Sequence, residues 1–135
     1  MADITRTKEK IGIAYPSKAI VDNGVAAEAI EAGQPLYIDS NGKYGVADAN
    51  DGAKDQFRGI ALETVAAGQP LSVLVEGELY GYTLSGAYDS LAYVSNSVGE
   101  LADAAGGTSL AVGRVVAVFN SKEATKILKV TGWAG

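Results

Sequence analysis

Four residues of this 135-residue chain are spaced to gather two carboxylates and two phenols on one surface: Glu76, Glu78, Tyr80 and Tyr82. Alternate residues of an extended strand share a face, so a strand through Pro70-Leu-Ser-Val-Leu-Val-Glu-Gly-Glu-Leu-Tyr-Gly-Tyr82 shows these four together with Leu74. Leu71, Val73, Val75, Gly77 and Leu79 take the other face. Carboxylates two apart on a strand sit roughly 6 to 7 Å apart, which overlaps the separations used in glycoside hydrolysis. Here they project side by side instead of flanking a bond, so the pattern favours a polar rim or interface over catalysis.

The remaining chemical candidates are weaker. Asp48-Ala-Asn-Asp-Gly52 has the composition of a calcium loop, but its acidic residues fall at the wrong offsets and Gly59 stands where the closing glutamate is required. It reads as a solvated loop. Ser17-Lys18 and Ser121-Lys122 are adjacent pairs, which a strand directs to opposite faces, and Gly106-Gly107 lacks the following Lys-Ser/Thr of a phosphate loop. The chain has no histidine and no cysteine, which removes the commonest general base, the commonest transition-metal ligands and the thiolate nucleophile. No catalytic residue, metal ligand or cofactor is assigned, and a non-enzymatic protein is expected. Trp133 closes the core beside the last strand or, with Tyr80 and Tyr82, stacks on a sugar; the latter makes a carbohydrate- or ligand-binding β-module the alternative function.

The elements that must position these residues repeat. Leu36, Ser40, Asn41 and Ala47-Asp48-Ala49 recur as Leu91, Ser95, Asn96 and Ala102-Asp103-Ala104. Gly59-Ile60-Ala61-Leu62 then falls opposite Gly113-Arg114-Val115-Val116, and Val73, Val75 and Gly77 fall opposite Leu128, Val130 and Gly132. Seventeen glycines in short clusters between runs of Val, Ile, Leu and Tyr predict strands punctuated by turns. Asp39-Ser-Asn-Gly42 and Asn96-Ser-Val-Gly99 suit hairpins at equivalent places in the two copies. Val25–Ala32 has helical propensity, yet Ala32-Gly-Gln-Pro-Leu36 recurs as Ala67-Gly-Gln-Pro-Leu71, which favours a strand running into a turn. The expectation is an all-β fold, a compact β-barrel or sandwich built from two tandem β-repeats with an extended N-terminal arm. The arm covers residues 1–24 and a single β domain covers 25–135, with pseudo-repeats at about 36–80 and 91–135.

The net charge of −5 is segregated: residues 1–20 and 106–135 are net basic, and residues 21–105 carry almost all of the acid. An acidic body repels nucleic-acid backbone and anionic lipid, so neither is the expected partner. The N-terminus lacks the apolar core of a secretory signal, and no apolar run approaches bilayer length. The arm alternates polar and charged residues to Lys10 and then offers Ile11, Ile13 and Tyr15, a pattern that suits a segment ordering against a partner.

The stretch Phe57-Arg-Gly-Ile-Ala-Leu-Glu-Thr-Val-Ala-Ala-Gly-Gln-Pro-Leu-Ser-Val-Leu-Val-Glu-Gly77 resembles the signature of small tailed-bacteriophage capsid cement, or head decoration, proteins. The similarity extends to Ala32-Gly-Gln-Pro-Leu-Tyr-Ile-Asp39 and Ala111-Val-Gly-Arg-Val-Val-Ala117. The resemblance implies a structural protein on the outer capsid surface of the virion, made in the host cytoplasm. Its partners would be the major capsid protein and further copies of itself, commonly as a trimer. It also implies that an arm carrying Arg6, Lys8, Lys10, Ile11, Ile13 and Tyr15 attaches to the shell, while the strand pattern itself makes Glu76, Glu78, Tyr80 and Tyr82 an expected interface.

Overall fold

The computed structural model describes residues 3–54, 56–104, 111–120 and 123–131. Among them twelve strands run in chain order: β1 (Asp3–Arg6), β2 (Gly12–Ile13), β3 (Ile20–Val25), β4 (Pro35–Ile38), β5 (Tyr44–Val46) and β6 (Gly59–Ala61), then β7 (Pro70–Tyr80), β8 (Tyr82–Thr83), β9 (Leu91–Val94), β10 (Leu101–Ala102), β11 (Ala111–Asn120) and β12 (Glu123–Val130). The protein is all-β, an antiparallel sheet curled into a half-barrel. The sheet order is β5-β4-β6-β7-β12-β11-β9-β10-β1-β8, with β2 and β3 each paired to β7 off this path.

The first eight strands of that order form a palindrome of the sequence repeat. β5, β4, β6 and β7 are mirrored by β10, β9, β11 and β12, and the halves meet where β7 pairs with β12. The register agrees residue by residue at the heart of each half: Ile60 pairs with Leu74 and Ala61 with Val73, while Arg114 pairs with Lys129 and Val115 with Leu128. A Cβ on Gly59 would meet the Leu74 carbonyl oxygen at 2.7 Å, and one on Gly113 would run into the Lys129 carbonyl. Each half therefore uses a glycine to let two backbones close at the same point.

A second, local two-fold explains the repeated Ala-Gly-Gln-Pro. Gly33 (φ +91°) and Gly68 (φ +83°) occupy the positive-φ position of equivalent turns, closed by Gln34 N–H to Glu31 O and Gln69 N–H to Ala66 O, both at 3.2 Å. Ile30 and Val65 exchange reciprocal backbone bonds of 3.0 and 2.9 Å. Ala26 N–H donates to Gln69 O just as Ala61 N–H donates to Gln34 O. The two strand–turn–strand units are interleaved, so that β3 pairs with β7 and β6 with β4. Residues 25–32 carry no helix: Val25 ends β3, and Ile30 sits in its isolated bridge to Val65.

β7 is buried on both faces at its centre. Val73 joins a core with Ile30, Leu36, Tyr44 and Leu71, and Leu74 joins a larger one with Phe57, Ile60, Leu79, Leu101, Val112 and Leu128. Strict alternation of one apolar and one polar face fails here because the strand lies between two cores. The N-terminal segment alternates short strands with 3-10 turns at Lys8–Lys10 and Pro16–Lys18, and it is paired with the body instead of standing free. β1 lies between β10 and β8, β2 and β3 pair with β7, and Ile4 is buried in the larger core. Residue 24 is no structural boundary, since β3 runs through it.

Candidate interaction surface

The carboxylate and tyrosine row is not one face. Gly77 (φ +149°) and Gly81 (φ +108°) reorient the backbone on either side of Glu78–Tyr80, a change that side-chain-bearing residues resist. Glu76 is exposed opposite Ile20 of β3, and Glu78 lies opposite Lys129 of β12. These two carboxylates share a cleft of about 430 Å³ with Lys18, Lys129 and Thr131. Tyr80 is 41% exposed at the end of β7. Tyr82 begins β8, packs against the larger core and donates its hydroxyl to Gly33 O at 2.6 Å. Burial, ahead of the opposing Arg6 charge, pushes the Tyr82 phenol far above its ordinary pKa. Trp133 and Ser121-Lys122 lie outside the described residues.

The six arm residues separate into anchors and surface groups. Arg6 has only a tenth of its side chain exposed. It donates through Nη1 to Glu100 Oε2 at 2.6 Å and Gly99 O at 3.2 Å, and through Nη2 to Glu31 Oε1 at 2.9 Å. Its Nε is buried with no partner among the described residues. Ile11 packs over Gly33 and Gly81, where side chains would collide with it, and Ile13 packs against the core from β2. Lys8 and Lys10 are exposed, with Lys8 Nζ 3.5 Å from Glu31 Oε2. Tyr15 is half-buried, with the Lys18 ammonium 5.3 Å from its ring centre. The Arg6 hydrogen bond, then the Lys8 charge, hold the Glu31 carboxyl below its ordinary pKa.

Sequence reasoning missed the inward role of Arg6. A signal was present: Ile4 and Arg6 share one face of a period-two strand, with Asp3 and Thr5 on the other. Sequence reasoning also passed over the surface of β3. Five of its six residues are exposed, and Ile20 (55%), Val21 (43%) and Val25 (38%) are among the most exposed large apolar side chains described. Beside it lies a cleft of about 400 Å³ lined by Asp22, Tyr37, Ile38, Tyr44, Arg58 and Val75. The Tyr44 ring rests on the bare backbone of Gly24, where a Cβ would run into it. Its hydroxyl donates to Asp22 Oδ2 at 3.3 Å, and burial, followed by the Asp22 charge, raises its pKa. Among the described residues no group of three or more Asp and Glu is placed to hold a metal ion. No family model matches the chain, and no curated protein matches it.

Proposed function

We propose that this chain is a structural decoration protein that binds the outer surface of a tailed-phage head and braces it, acting without catalysis. The observation that carries the reading is β3: an exposed strand with three exposed apolar side chains, preceded in the chain by the exposed Lys8, Lys10 and Lys18. Isolated apolar residues on a surface need no explanation, but an apolar strand with a basic approach suits docking on another protein. The resemblance in residues 57–77 adds to it, because that stretch forms β6, the Gly68 turn and most of β7, the axis of the molecule. Attachment is accordingly assigned to Lys8, Lys10, Lys18, Ile20 and Val21, and not to Arg6, Ile11 or Ile13, whose side chains are spent inside the chain. Each copy needs only modest affinity, since a lattice presents many equivalent sites and an oligomer engages several at once. Of the residues named for the saccharide-binding alternative, Tyr82 has its hydroxyl committed to Gly33 O. Adding the protein to undecorated heads of its phage should raise the temperature at which they release DNA; heads that release DNA at an unchanged temperature with saturating protein present would overturn the reading.

A further inference from the structure

We infer that the groove between β8 and β10 is a strand-acceptor site, and that its occupant, Asp3–Arg6, can be supplied by a second copy of this chain. The inference does not depend on the capsid reading. It starts from a departure in the pseudo-symmetry. In the first half, the segment before β4 closes directly on β5: Ala26 bridges to Tyr44, and Ala27 N–H donates to Tyr44 O at 2.8 Å. In the second half the equivalent segment is β8 and the equivalent of β5 is β10, but a strand is inserted between them. That strand is β1, with Asp3 and Ile4 paired to Ala102 and Leu101 and Thr5 and Arg6 paired to Thr83 and Tyr82.

The groove reads a specific pattern. Ser95, fully buried, donates to Asp3 Oδ1 at 2.5 Å, the larger core receives Ile4, and Glu31, Glu100 and Gly99 O receive Arg6. An acidic residue, an apolar residue, any residue and arginine are therefore selected in that order. Among the described residues β1 joins the body through the segment 7–11, and withdrawing it leaves β2 and β3 paired to β7. The same contacts form whether the strand comes from its own chain or another, so exchange changes only the hinge and the concentration term. The hinge is the turn at Lys8–Lys10, which has no side-chain cap. Straightening it gives up the bonds from Lys10 N–H to Thr7 O and from Thr7 N–H to Gly81 O. Residues 7–11 then reach at most roughly 17 Å, so the acceptor must be a closely packed neighbour.

Because the chain has no cysteine, paired single-cysteine variants report exchange without background. Thr5 and Thr83 are exposed cross-strand partners, at a separation that a disulfide spans. The double variant Thr5→Cys/Thr83→Cys should oxidise within one chain, which checks that β1 occupies the groove. Thr5→Cys protein and Thr83→Cys protein, mixed at high concentration, refolded together and oxidised, should then yield a covalent heterodimer of twice the chain mass. Its yield should exceed several-fold that of a control mixture of Thr5→Cys and Asn41→Cys, the latter in the turn at the far end of the sheet. A heterodimer yield no higher than the control, or a double variant that fails to close, overturns the proposal.

Discussion

Arg6 is the residue on which the N-terminal strand turns. A guanidinium with little solvent exposure, bonded to two partly exposed carboxylates and a carbonyl, is held by charge-assisted bonds that water does not fully screen. Arg6→Met should lower unfolding stability by about 1–3 kcal/mol, measured by urea denaturation at neutral pH. The pH dependence follows from Glu31, whose folded pKa is depressed below its ordinary 4.5. Its contribution is present above that value and is lost as pH falls through the lower, folded pKa. The urea midpoint of the wild type should therefore drop more steeply below pH 4.5 than that of Arg6→Met, and parallel acid limbs would refute the assignment. Tyr82 governs the opposite limb. Its raised pKa means that the stabilising neutral phenol is retained below about pH 10 and that stability is lost as pH climbs through its folded pKa. Tyr82→Phe should cost about 1–2 kcal/mol through the orphaned Gly33 carbonyl and should flatten the alkaline fall. None of this was legible when Arg6 and Tyr82 were read one residue at a time. A charged arm residue and an aromatic rim residue look solvent-facing until the partners across the sheet, Glu31, Glu100 and Gly33, are known.

At the scale of elements, the repeat in the sequence was the most faithful guide. It located both hairpins, and it aligned Gly59 with Gly113 and β7 with β12. Hydrophobic alternation was less faithful: it treated β7 as one strand with one buried face, whereas two cores and the reorienting Gly77 and Gly81 divide it. The interleaved two-fold around Ile30 and Val65 was visible only as a repeated Ala-Gly-Gln-Pro, since the sequence says that a turn recurs but not that the two turns lock their units together. Gly59→Ala and Gly113→Ala should each destabilise by about 2–3 kcal/mol or more, as overpacking against a fixed backbone does. Gly42→Ala has open space around its Cβ and φ of +78°, and should cost only about 1 kcal/mol, from the backbone conformation alone. Thermal denaturation of the three variants compares them, and equal losses would show that the close approaches do not tighten the strand pairs within each half.

For the molecule as a whole, the segregated charge and the duplicated body combine into one surface logic. The acidic centre of the sequence supplies both carboxylates that hold Arg6, while Lys8, Lys10 and Lys18 remain exposed in the segment that precedes β3. The sequence reading had the arm as the place of attachment. The structure keeps the basic surface of that segment but moves its apolar contacts, Ile11 and Ile13, onto the body, which leaves Ile20 and Val21 as the exposed apolar pair. The account's central claim is that this surface holds the protein on a phage head, and co-sedimentation with undecorated heads tests it most directly. Folded wild-type protein should pellet saturably with the heads. Ile20→Asp and Val21→Asp, whose side chains already face solvent, should keep the wild-type fold by circular dichroism and lose binding at least tenfold. Wild-type protein that is folded yet stays in the supernatant at saturating heads, or β3 variants that pellet as well as wild type, would contradict it.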